Sequence, residues 1–188
     1  MGTQPSVSAA DAGPSAAGSP SAATSAASAA ATALTEQHAI LVNEARYAER
    51  LCQRTARLYR RLQAIGTFGA VLGGSATLAA LAPSVHPAVS AAGAVLFAVF
   101  GAALLAIRPA DKAAQNEADV RRYAKLRTEA VDMNVDQLQR ALRKAQETDT
   151  AEVESLRVVA YNDVLREIGR ESQSVALRPM QRLLMLVA

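Results

Sequence analysis

Residues 62–107 form a run of forty-six positions without a single Asp, Glu, Lys or Arg, dense in Ala, Gly, Leu, Val and Phe. The run is interrupted once, by Pro83-Ser84-Val85-His86-Pro87. Segments 62–82 and 88–107 on either side each supply about the 20 apolar residues that a helix rising 1.5 Å per residue needs to cross a hydrocarbon core of roughly 30 Å. A single buried core segment has no reason to be split by prolines into two pieces of membrane length. The expected fold is therefore an all-α membrane protein built on a two-helix transmembrane hairpin over residues 62–107, with spans 62–82 and 88–107.

Orientation follows from the basic residues that bracket the run. Arg46, Arg50, Arg54, Arg57, Arg60 and Arg61 precede it; Arg108, Lys112, Arg121, Arg122, Lys125 and Arg127 follow it; the loop between the spans carries no fixed charge. Moving basic residues across a bilayer is costly and the cytoplasmic leaflet is anionic, so both termini are expected on the cytoplasmic side of an inner membrane, with the turn outside. The overall formal charge is +3 with 51% hydrophobic and 20% charged residues, and the pI is near 9.3. Because the positive charge crowds the membrane boundary and no aromatic-rich motif interleaves it, lipid headgroups rather than nucleic acid are the expected anion.

Four further regions are separable. Residues 1–34 are almost entirely Ala, Ser, Gly, Pro and Thr, with Asp11 the one charged side chain. Such a segment lacks the bulk to form a core and is expected to be a disordered tail, with transient helix at most in its alanines. It has neither the basic start nor the leucine-rich stretch of a signal peptide. Residues 35–61 predict an amphipathic basic helix. Arg46, Arg50, Arg54, Arg57 and Arg61 recur at steps of four, four, three and four, which places them on one stripe, with Leu41, Ala48, Leu51, Cys52, Leu58, Tyr59 and Leu62 opposite. Two readings of that stripe stand side by side: a helix packed on a neighbour with a solvated basic face, or one lying along anionic headgroups, with Arg108 and Lys112 joining the contact from the far side of the hairpin.

Residues 108–172 predict a cytoplasmic helical bundle. Pro109 suits a first helical turn or a kink. Val120, Ala124, Val131, Val135, Leu138, Leu142 and Ala145 form a coiled-coil-like stripe over 110–147, implying one stalk roughly 55 Å long. Thr148-Asp149-Thr150, with Glu152 three residues after Asp149, supplies turn and cap chemistry. A last long helix over 151–170 presents Val153, Leu156, Ala160, Val164 and Ile168, folds back on the stalk, and has Gly169 at its end. Residues 173–188 read as a tail or short apolar helix able to touch the membrane or a partner chain.

No catalytic constellation emerges. His38 and His86 are separated by a predicted span, the sole cysteine, Cys52, has no base at hand, and neither a GxxxxGK[ST] loop nor a metal-ligand cluster is present. No enzyme activity, cofactor or metal is expected. His86, between two prolines, reads as a solvated turn residue before it reads as a pH sensor.

Mechanistic information lies in the spans. Gln63, Thr67, Ala70, Gly74 and Thr77 give the first a small, weakly polar face, with Gly73 beside it in Gly69-x-x-x-Gly73; Ser90, Ala94, Ala98, Ala102 and Ala106 form a four-step ladder in the second. Small faces of this kind let helix backbones approach closely. They either pack the hairpin and a homo-oligomer or, in an oligomer, border a water-filled path. Two spans cannot enclose a channel alone, and a weakly polar lining selects on little besides size. The absence of an intramembrane acid or base argues against a coupled pump.

Glu44-Ala45-Arg46-Tyr47-Ala48-Glu49-Arg50, the tight two-span hairpin, and Ala160-Tyr161-Asn162-Asp163-Val164-Leu165 together resemble the SLATT family of bacterial two-span membrane proteins, over residues 35–172. That resemblance implies a pore-forming effector in bacterial conflict or anti-phage systems, which permeabilises the host membrane when a partner sensor protein or a nucleotide second messenger signals. The Ala/Ser-rich leader is not part of that pattern. Two competing readings use the same features: a membrane-anchored helical scaffold without conductance, and a holin-like phage protein, although a holin seldom carries so large a cytoplasmic part.

Overall fold

The computed structural model describes residues 20–79, 86–150 and 153–188, and among them every regular element is helical. Six α-helices follow one another: α1 (Pro20–Ala79), α2 (Pro87–Ile107), α3 (Pro109–Glu129), α4 (Val135–Gln146), α5 (Arg157–Glu167) and α6 (Pro179–Val187). Short 3₁₀ turns at Ala130–Asp132, Glu154–Leu156 and Glu171–Gln173 join the later ones. The chain divides into two compact units, Met1–Glu36 and Gln37–Ala188.

In the first unit the expected tail is corrected for residues 20–34, which are helical. Alanine has the highest intrinsic helix propensity of any residue. The Thr32 and Thr35 hydroxyls donate back to the Ser28 and Ala31 carbonyls, so they do not draw the backbone out of the helix. Residues 1–19 lie outside the described residues, as do 80–85, which include most of the expected inter-span turn.

In the second unit α1 is the central element. Leu41, Ala45, Ala48 and Cys52, spaced by four, three and four, pack with Tyr123 and Leu126 of α3, Ala130, and Leu138, Leu142 and Ala145 of α4. The adjacent stripe, Leu51 and Leu58, packs with Leu156, Ala160 and the terminal Ala188. The apolar face read from the sequence is thus buried from Leu41 to Leu58, divided between two sets of partners, while Tyr59 is half-buried and Leu62 exposed.

The single stalk over 110–147 is not formed. Helix α3 ends at Glu129, and the chain turns through Ala130–Asp132 into α4, which runs back along α3. Arg122 reaches the Ala145 carbonyl and the Thr148 hydroxyl, and the Tyr123 hydroxyl donates to Asp149. The break is made by Asn134, whose side chain accepts from the Gln137 amide while the Gln137 side chain accepts from the Asn134 amide, a capping box. Val131, assigned to the apolar stripe, is 83% exposed at the turn. The buried Asp119 closes the open end of the hairpin, accepting from both the amide and the hydroxyl of Thr150. Asp149 accepts from the Tyr123 hydroxyl, and Glu152 lies outside the described residues.

The last long helix is shorter than expected, with a 3₁₀ turn before Arg157. It ends as its sequence predicts. Gly169 takes φ +73°, the Arg170 amide bonds the Leu165 carbonyl at 2.8 Å and the Gly169 amide bonds that of Arg166 at 3.2 Å, the paired bonds of a Schellman stop. Pro109 opens α3, and Arg108 before it adopts the left-handed conformation (φ 50°, ψ 55°), which lies outside the right-handed region that proline disfavours at the preceding residue. His86 is the N-cap of α2, its Nδ1 accepting from the Ala88 amide at 3.2 Å.

Helices α1 and α2 run antiparallel and touch through glycines. A β-carbon added at Gly73 would lie 2.5 Å from the Phe97 amide nitrogen and 2.6 Å from the Gly93 carbonyl oxygen, and one at Gly93 would lie 2.8 Å from the Gly73 carbonyl oxygen. Those neighbours are backbone atoms, which cannot swing aside. Gly101 has nothing within 4 Å of such a β-carbon. Gly73→Ala is expected to destabilise the detergent-solubilised protein by about 1–3 kcal/mol, the usual range for overpacking a close contact, while Gly101→Ala leaves it unchanged. Thermal unfolding of the two variants beside the wild type measures this.

Candidate functional site

Helix α2 and the end of α1 are long and apolar enough to cross a membrane. In the most apolar stretch of each, 17% of the α1 residues and 6% of the α2 residues are buried. The core helix of a soluble domain would be mostly covered. Here Phe68, Val71, Leu78, Val95, Val99 and Leu105 are all more than half exposed.

The contact between the two helices follows one line. Gly66 faces Leu104, Gly69 faces the Phe100 ring, Gly73 faces Phe97 and Gly93, and Gly93 in turn meets Ala76 and Thr77. Gly66, Gly69, Gly73 and Gly93 are buried. Of the ten positions read from the sequence as a pore or packing face, Gly73 belongs to this contact. Gln63, Ala70, Gly74 and Ser90 are half-buried, and Thr67, Thr77, Ala94, Ala98 and Ala102 are exposed. The Gln63 amide donates to the Thr67 hydroxyl at 3.2 Å, and the Thr77 hydroxyl donates to the Gly73 carbonyl at 2.9 Å, so both hydroxyls have partners within their own helix. The alanine ladder of α2 does not pack on α1. Sequence reading missed the residues that do: Gly93, Phe97, Phe100 and Leu104, at steps of four, three and four, are the signal that was available.

Below the apolar pair, the arginine stripe of α1 meets acids of α5. Arg50 donates to Glu167 through Nε at 3.1 Å and Nη2 at 2.8 Å, Arg46 lies 3.8 Å from the same carboxylate, and Arg54 donates to Asp163 through Nε at 2.8 Å. For Arg46, Arg50 and Arg54 the structure shows the packing on a neighbouring helix that was one of the two readings. The geometry is simple: Asp163 and Glu167 are one helical turn apart, as are Arg54 and Arg50, and the helices run in opposite directions. These residues, with Gln53, Arg57 and Arg166, line an open cavity of about 280 Å³.

The remaining basic residues stand closer to the apolar run. Arg60 pairs with Glu117 of α3, Arg108 with Asp111, and the Arg61 guanidinium donates to the Leu186 carbonyl of α6 at 2.5 Å. The Lys112 ammonium sits 5.5 Å from the centre of the Tyr59 ring, within cation–π range. Arg57, Arg61 and Arg108 are exposed and so is Lys112, which leaves them open to headgroups.

Electrostatics follow these pairings. Hydrogen bonding to Arg50 holds Glu167 below the ordinary carboxylate range, outweighing its partial desolvation, and the same bond raises Arg50. Glu117 is lowered in the same way by Arg60. Burial first, and then the bond to Asp149, pushes the Tyr123 hydroxyl well above its usual range, so it remains a neutral donor.

Among the described residues no three His, Cys, Asp or Glu side chains stand close enough to hold a metal ion. His38 is engaged with the Ala130 carbonyl at 2.9 Å and Cys52 is buried in the core. The described residues present an uncovered apolar surface beside a collar of charge. No family model matches the sequence, and neither a curated protein nor a solved structure is significantly similar to it.

Two measurements test the collar. Asp163→Asn is expected to lower stability by about 1–2 kcal/mol, between the values typical of an exposed ion pair and of a hydrogen bond to a charged group. The double variant Arg54→Ala, Asp163→Ala is expected to cost less than the sum of the single changes. Because Glu167 is depressed below its ordinary value of 4.5, its contribution is complete above that value and is lost as the pH falls through the depressed one. The stability difference between wild type and Glu167→Gln should therefore be present at neutral pH and shrink in acid.

Proposed function

We propose that this chain is an oligomeric membrane protein of the bacterial inner membrane, with the hairpin of α1 and α2 spanning the bilayer, both termini in the cytoplasm, and the assembled hairpins opening a pore on a signal from outside the chain. The observation that carries this reading is the division of faces on the two apolar helices. The glycine faces are consumed inside the hairpin, whereas Thr67 and Thr77 on α1 and Ala94, Ala98 and Ala102 on α2 remain uncovered. Small faces of that kind associate with other helices in lipid, where close backbone approach and packing, rather than exclusion from water, drive contact.

The basic collar supports the orientation, since Arg57, Arg60, Arg61, Arg108 and Lys112 all flank the charge-free run at one end of the hairpin. The likeness to the SLATT pattern supports the physiological reading, an effector that permeabilises the host membrane in a conflict system. Helix α1 supplies a route for the trigger. Its residues 41–58 form the centre of the bundle, so a partner or ligand that displaced α5 from Arg50 and Arg54 would act on the helix that continues into the membrane.

Induced expression in cells loaded with a membrane-potential dye tests the reading. Triggered depolarisation is expected, and Thr67→Leu or Ala98→Leu, each on an uncovered face, is expected to abolish it while leaving the protein in the membrane. Normal potential and growth under every trigger would instead favour a non-conducting scaffold. Orientation is read separately: a reporter active only outside the cytoplasm should work at position 86 and be silent at the C terminus, and the reverse pattern would remove the topology.

A further inference from the structure

Helix α6 is docked by one side only. Leu184 and the terminal Ala188 pack with Leu51, Leu58, Leu156 and Ala160. Met180, Leu183 and Leu186, at three-residue steps, lie on the neighbouring side and are 64%, 58% and 77% exposed. Two clamps fix the helix in place. Upstream, the Asn162 side chain bonds both the carbonyl and the amide of Val175, at 2.8 and 2.9 Å, tying the preceding strap to α5. At the other end Arg61 Nη1 donates to the Leu186 carbonyl, and Arg61 is the last charged residue before the forty-six-residue apolar run.

That second clamp sets the height of the helix. An arginine side chain spans only a few ångströms, so Leu186 lies at the level where α1 enters the charge-free run. Arg178 at the N-cap of α6 and Arg182 within it are exposed, and so are Arg57 and Arg60 on α1. An apolar ridge fixed at the entry point of a membrane helix and flanked by guanidinium groups has the chemistry of an interfacial helix on anionic lipid. A protein partner would cover the ridge equally well, but it gives no reason for the ridge to stand level with the start of the span.

We propose that α6 is a membrane-surface helix that seats Met180, Leu183 and Leu186 at the headgroup–acyl boundary of an anionic bilayer, beside the cytoplasmic end of α1. The assignment rests on the membrane reading of α1 and α2. It makes α6 a lipid-seated prop for the bundle: α6 touches lipid on one side and, through Ala188 and Leu184, the centre of the bundle on the other.

The full chain in a Cys52→Ala background, reconstituted in phosphatidylcholine–phosphatidylglycerol vesicles, carries an environment-sensitive fluorophore at one of four introduced cysteines: Leu183→Cys and Leu186→Cys on α6, Val99→Cys on α2 and Arg140→Cys on α4. The α6 probes are expected to emit blue-shifted light and to lose about half their intensity to lipids bearing a nitroxide high on the acyl chain, as befits a helix seated at shallow depth. The α2 probe should respond to a deep nitroxide and the α4 probe to neither. Water-like emission at positions 183 and 186 with quenching at 99 would overturn the assignment of α6 and leave the hairpin standing. Blue-shifted emission at 183 and 186 that no nitroxide lipid quenches would show that protein, such as a second copy, covers the ridge, which also overturns it. Failure at 99 would remove both readings.

Discussion

Two helices cannot cover each other. An α-helix offers a neighbour one stripe of its circumference, and α1 and α2 have used theirs in the line of contacts centred on Gly73 and Gly93. Among the described residues of 62–79 and 86–107, most of what lies outside that line is apolar and exposed, without one charge to hydrate it. At roughly 25 cal/mol per Å² of apolar surface, leaving such an area in water would outweigh the net stability of a small domain. On the proposed reading lipid resolves the conflict, since the backbone amides beyond the first turn of each helix are already bonded within that helix.

On this account the rest of the chain manages the entry into that environment. The basic residues form a graded series along α1. Those farthest from the apolar run, Arg46, Arg50 and Arg54, are taken up by Glu167 and Asp163 and hold α5 in place. Arg57 lines the adjoining cavity, Arg60 holds α3 through Glu117, and Arg61 holds α6. One helix thereby carries the hairpin contact, the centre of both hydrophobic clusters and the ion pairs. On the proposed reading a change in the bundle acts on the same helix that carries the first span.

How much of this was legible in the sequence depended on whether a feature was local. The apolar run, the arginine period, Pro109 at a helix start and Gly169 at a helix end are written in consecutive residues, and the structure carries each of them. The stalk failed because periodicity continued across Asn134 while the capping box Asn134–Gln137 argued for a stop; the cap prevailed because folding back buries Leu138, Leu142 and Ala145 against Tyr123 and Leu126. Over 20–34 the lack of a core was given more weight than the helix propensity of alanine, which was read as transient helix at most. The alanine ladder of α2 looked like the hairpin contact, yet Gly93 occupies it, because antiparallel crossing there demands backbone against backbone. Pairing of arginines with Asp163 and Glu167 needed two distant helices brought together, and only the complementary four-residue spacings hinted at it.

The proposition that lipid is the solvent of residues 62–107 is tested most directly by alkaline carbonate extraction of membranes from cells making the full-length chain, followed by fractionation of whatever is released. The account predicts that the protein stays with the bilayer sediment and leaves it only when detergent is added. Release into the aqueous fraction as a monodisperse, folded protein without detergent would contradict it.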